Sequence, residues 1–134
     1  MKIVLVAESG FTRSSVNVNL RSAGYSIIEA EPTCLADVLT VMRNVLPHLV
    51  VMDSDLPVCQ CETVVRIIRE DPILARTPIL LIVESLELEP VRRMLRWDQV
   101  RCLAKPLLVE SLLQAVRDQF PTFSIHSSDP DPVV

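Results

Sequence analysis

Hydrophobic positions along the chain follow two patterns that take turns. The runs "KIVLVA" (2–7), "HLVVM" (48–52) and "PILLIV" (78–83) are short, rich in branched residues and free of polar alternation, as central parallel strands covered on both faces require. "YSIIEA" (25–30) and "RCLA" (101–104) predict two further short strands. Between these runs the apolar spacing becomes that of a helix. Val16, Leu20 and Ala23 form a stripe that stops at Gly24, a residue that takes a left-handed helix cap without strain. Leu35, Leu39, Met42 and Leu46 form a second stripe before Pro47, with Thr33 as its cap. Val64, Ile67 and Ile68 mark a helix over 60–70, and "DPILARTP" returns the chain to the fourth strand. Val109, Leu112, Leu113, Val116 and Phe120 mark the last helix. The weakest pattern spans 88–97, where Val91, Met94, Leu95 and Trp97 interleave with Arg92, Arg93 and Arg96 and Pro90 breaks the start.

Strand and helix thus alternate five times, which predicts an α/β fold: a doubly wound parallel sheet with helices on both faces. In such open sheets ligands bind beyond the carboxyl ends of the strands, where the strand order reverses. The 134 residues suit one domain, read as 1–120, and the proline-rich, polar 121–134 reads as a flexible tail. Hydrophobic residues make up 49% of the chain and aromatic ones only 4%, so a compact aliphatic core is expected rather than disorder.

A formal net charge of −4 removes the basic surface that nucleic acid or anionic lipid would need. No apolar stretch is long enough for a bilayer and no secretory signal is visible, so no membrane partner and a cytoplasmic location are expected. Four dispersed cysteines in a chain with a full core are expected to stay reduced.

Candidate chemistry collects at the strand ends. Glu8 follows the first strand, Asp53 and Asp55 close the third, Ser85 follows the fourth and Lys105 ends the fifth. Charged residues gather there in any case because the sheet meets water, so each alone is as readily structural as functional. Their joint placement is the signal. Crowded carboxylates repel, and a bound cation relieves them. Oxygen-only ligands suit Mg²⁺, and a lysine opposite them attracts an anion. The bond from Lys105 to Pro106 also leaves the cis form open.

The segments "VLVAES" (4–9), "VVMDSDLP" (50–57) and "CLAKP" (102–106) resemble the acidic first strand, the phosphoacceptor turn and the lysine-proline turn of the receiver domains of two-component response regulators. The resemblance covers residues 2 to about 120. It implies a (βα)5 three-layer sandwich with strand order 2-1-3-4-5, and a regulatory domain whose only chemistry is gain and loss of a phosphoryl group on Asp53. It makes Glu8, Asp53 and the backbone carbonyl of Asp55 ligands of Mg²⁺, and has Lys105 pair first with Asp53 and then with the phosphoryl oxygens. A histidine kinase or phosphotransfer protein is the implied donor. A downstream partner or a second copy would dock at the Arg92/Arg93/Arg96 face beside Trp97.

The chain departs from that pattern at four positions. Ala7 stands where the family has a second acid, Val83 where it has the hydroxyl residue that contacts the phosphoryl group, and Cys102 where it has the aromatic switch residue. Cys61 replaces a glycine. Ser85, two residues beyond Val83, is the remaining candidate donor. The alternative reading is therefore a degenerate receiver that acts as a phosphorylation-independent interaction module. Asp53-x-Asp55 also resembles the paired acids of haloacid-dehalogenase-type phosphatases, but those close a first strand in a longer chain. Cys59-x-Cys61 lacks the second ligand pair that a zinc site needs.

Overall fold

Alternation of side chains along each strand decides where the helices pack. The computed structural model describes residues 1–8, 10–30, 34–53, 61–86 and 89–119. Its strands are β1 (Lys2–Val6), β2 (Ser26–Ala30), β3 (Leu49–Asp53), β4 (Ile79–Val83) and β5 (Val100–Ala104). Its helices are α1 (Phe11–Ser22), α2 (Leu35–Val45), α3 (Cys61–Glu70), α4 (Glu89–Met94) and α5 (Val109–Asp118). All neighbouring strands run parallel, in the order β2-β1-β3-β4-β5. The architecture is the doubly wound α/β sandwich.

Ile3, Leu5, Leu49, Val51, Leu80 and Ile82 belong to one core with Val16 and Leu20 of α1 and Leu112 and Val116 of α5. The intervening Val4, Val6, Val50, Met52, Leu81 and Val83 belong to a second core, with apolar residues of α2, α3 and α4. Every residue of β3 and β4 is buried. A strand covered on both faces has no solvent side to mark with polar residues, which is why these two read as unbroken apolar runs.

Helix ends depart from the periodic reading for local reasons. Leu46 leaves the apolar stripe: it is the C-cap of α2 at φ 54, and it is exposed. The ring of Pro47 disfavours the right-handed helical conformation in the residue before it, so the helix must end there. Ala23 is likewise an exposed C-cap rather than a core residue, and Gly24 at φ 98 makes the stop. Thr33 lies outside the described residues, and the N-cap of α2 is Cys34. In α3 the buried positions are Cys61, Val64, Val65 and Ile68, while Ile67 is half-buried. Helix α4 stops at Met94, and the chain goes on in tighter turns in which the N–H groups of Arg96 and Trp97 donate to carbonyls three residues back. Leu95, whose N–H still donates to the Val91 carbonyl four residues back, is exposed although its spacing is helical. Phe120, Asp55, Cys59 and the tail lie outside the described residues.

Two polar anchors fix the end of the sheet where β4 and β5 begin. Arg69, at the end of α3, donates to the carbonyls of Thr77 (2.7 Å), Asp98 (3.0 Å) and Gln99 (3.2 Å), strapping together the turns that lead into β4 and β5. Asp71 accepts from Arg43 Nε (2.8 Å) and from the N–H groups of Ile73 (2.8 Å) and Leu74 (3.2 Å). The Arg43 guanidinium, helped by those N–H groups and opposed by burial, holds the Asp71 carboxyl below the usual aspartate range. No helix among the described residues is long and apolar enough to cross a membrane.

Candidate functional site

Two carboxylates are buried among the described residues, Asp71 and Asp53. Asp71 is accounted for by the anchor just described. Asp53 is the last residue of β3, opposite Ile82 in β4, and only 7% exposed at the carboxyl end of the sheet. Its charge is met by Lys105, whose Nζ lies 3.4 Å from Asp53 Oδ1.

Register explains how a residue from the far end of the sequence arrives there. The last rung between β4 and β5 pairs Val83 with Ala104, and the N–H of Lys105 extends the ladder by donating to the Val83 carbonyl (2.8 Å). The next rung is therefore Glu84 beside Lys105. Lys105 Nζ donates to Glu84 Oε1 at 3.2 Å as well as to Asp53. The bond from Lys105 to Pro106 is cis. Burial acts to lower the pKa of the ammonium, but the charge of Asp53 and the hydrogen bond to Glu84 outweigh it and leave the pKa above that of an ordinary lysine.

The period-two alternation sorts the rim into two sides. Asp53 continues the series Leu49, Val51; Glu84 continues Leu80, Ile82; Lys105 continues Leu103, all on the α1/α5 side of the sheet. Ala7 continues Ile3 and Leu5 on that side and is sealed in the same core at 1% exposure. Val83 belongs to the opposite core and is fully buried. Its side chain offers no polar atom, and its carbonyl accepts the Lys105 N–H. Cys102 is half-buried against that same core, and burial pushes its thiol up to about 11. Asp53, Glu84 and Lys105 thus share one side of the rim, while Val83 and Cys102 pack on the other.

The family model of the response regulator receiver domain matches residues 3–117. The chain belongs to this family. The receiver is similar in fold to the chemotaxis response regulator CheY4 of Vibrio cholerae, at 23% identity and a TM-score of 0.78, over 89% of this chain and 98% of that one. It is similar to the receiver domain of a signal transduction histidine kinase from Syntrophus aciditrophicus (17% identity, TM-score 0.78, 98% of each chain). It is also similar to the receiver domain of the sensor histidine kinase PA1611 from Pseudomonas aeruginosa PAO1, which holds a magnesium ion in its active-site cleft (22% identity, TM-score 0.71, 88% of this chain and 95% of that one). No curated protein matches the chain in sequence. As a receiver it is a module of two-component signalling.

Other predicted residues take varied places in the receiver. Glu8 is exposed two residues beyond the end of β1, the strand that pairs with the Asp53-bearing β3. Ser85 is half-buried in the loop after β4, and Asp55 lies outside the described residues. Among the described residues no group of three or more side chains forms a metal cluster. Two carboxylates on adjacent strand ends nonetheless fit Mg²⁺, which takes one or two and completes its shell with water and phosphate oxygens. Arg93, on the predicted docking face, is paired within the domain: its Nε and Nη2 donate to Glu62 of α3 at 2.8 and 2.9 Å. A cavity of about 430 Å³ between β5 and α5 is lined by Arg101, Leu103, Glu110 and Gln114, and none of Asp53, Glu84 and Lys105 reaches it.

Glu84 is the residue that reading the sequence missed. It looked like one more acid where a strand meets water. Its signal was there in the alternation of β4, two residues past Ile82 and in step with Asp53 and Lys105.

Proposed function

We propose that this receiver accepts a phosphoryl group on Asp53. The observation that carries the reading is a buried carboxylate at the carboxyl end of the sheet with an ammonium group 3.4 Å away. In the transfer an Asp53 carboxylate oxygen attacks the phosphorus of a phosphohistidine on a kinase or phosphotransfer protein, or of a small acyl phosphate. The bond between phosphorus and the donor atom breaks, and its electron pair leaves with the donor. Lys105 then neutralises charge on the phosphoryl oxygens, since such transfers need positioning and charge compensation more than covalent help. Glu8, Asp53 and the carbonyl of Asp55 would hold Mg²⁺, which supplies further neutralisation of the phosphoryl oxygens when bound. Output would pass to a partner or second copy at the Arg92/Arg93/Arg96 face beside Trp97.

A second reading is favoured by Val83 and Cys102. With apolar atoms where a phosphoryl-sensing pair would stand, the two states differ in few contacts, and a shift between states can be no larger than that difference. The domain would then be recognised unphosphorylated.

Incubation with acetyl phosphate and Mg²⁺, followed by intact mass measurement, separates the two. Under the first reading the wild type gains the mass of one phosphoryl group and Asp53→Asn gains none. An unmodified wild type at millimolar Mg²⁺ would overturn the first reading in favour of the second.

A further inference from the structure

Among the described residues Lys105 pairs with two carboxylates, Asp53 and Glu84, and the first is the proposed phosphoacceptor. Glu84 donates nothing to the core: its side chain is 58% exposed, against 10% for Asp53 and 23% for Lys105. Nor is it spent in an interhelical pair, as Glu62 is with Arg93. Its carboxylate is fixed beside Lys105 by the register of β4 and β5, one rung past Val83 and Ala104. Both carboxylates bond to the same ammonium, so an anion arriving at Asp53 comes well inside the ~10 Å over which 0.1 M salt screens charge from Glu84. The newcomer must share the ammonium with Glu84 and bear repulsion from it.

We infer that Glu84 is a positioning residue, which holds the Lys105 ammonium between itself and Asp53 and thereby weakens the binding of phosphoryl-like anions at Asp53. The statement about anions rests on the phosphoacceptor reading; the statement about Lys105 does not. Glu84 thus sets a threshold for occupancy of the site, a role distinct from those of the metal-binding acids because it acts through the lysine.

Two measurements on Glu84→Gln and Glu84→Asp test this. The first uses no phosphoryl mimic: ¹⁵N relaxation of the Lys105 ammonium group is expected to show more motion in Glu84→Gln than in wild type, with order largely kept in Glu84→Asp. The second follows amide NMR shifts during titration with beryllofluoride in Mg²⁺. Glu84→Gln is expected to bind roughly two- to fivefold more tightly than wild type, the scale of a partly exposed charge pair. The advantage should shrink as salt is raised, which a purely structural change would not produce, and Glu84→Asp should bind like wild type. An ammonium equally ordered in Glu84→Gln, or a wild type that binds beryllofluoride as tightly as Glu84→Gln does, would overturn the inference. A loosened ammonium with no beryllofluoride response in any of the proteins would support the placement of Lys105 by Glu84 and overturn the phosphoacceptor reading instead.

Discussion

Val83 shows how one side chain can serve the core at the expense of the site. It is fully buried against the α2–α4 core and ends the strand beside Asp53. Val83→Thr would exchange a methyl group for a hydroxyl at nearly constant volume. Without a ligand that hydroxyl enters an apolar core, at a cost of about 1–3 kcal/mol if it finds no partner. The expected outcome is a lower urea midpoint for the free protein. Single residues were legible in the sequence where burial and chemistry pull apart. Asp53 stood out as an acid closing an apolar run, and Lys105 as a charge before a proline. Glu84 did not, because its meaning lies in a cross-strand rung that only strand pairing reveals.

Among the elements, the turn from α3 to β4 is built around a charge. Asp71 receives Arg43 from α2 and two N–H groups from its own turn, and these hold its carboxyl below the ordinary range. Above about pH 4 the carboxyl is ionised in both the folded and the unfolded chain, and the full stabilisation is present. As the pH falls further the unfolded chain takes up the proton first, so stability is lost progressively down to the folded pKa. Urea midpoints of the wild type should fall along that limb. Asp71→Asn should be less stable at neutral pH and show a shallower acid limb. Strands β3 and β4 were easily read because double burial writes an unbroken apolar run. Helix ends were not, since Pro47 acts on Leu46 through backbone sterics and a helical spacing of apolar residues runs on past Met94 into tight turns.

At the scale of the molecule, two apolar cores sandwich a sheet whose polar chemistry gathers at one rim. Occupancy of that rim stabilises the whole fold, because a ligand that binds only the folded state adds to its stability by mass action. Beryllofluoride with Mg²⁺ at a hundredfold excess over its Kd should contribute ~2.7 kcal/mol, seen as a rise of several degrees in Tm. Asp53→Asn should show no rise. The order 2-1-3-4-5 was readable from alternation and family resemblance together, because parallel crossovers leave few topologies.

The strap made by Arg69 acts on the two strands whose far ends carry Glu84 and Lys105. β4 and β5 are clamped at their amino ends and carry their charges just past their carboxyl ends. A charge added at Asp53 would therefore be felt first by Glu84 and Lys105, at the end of the sheet away from the Arg69 strap.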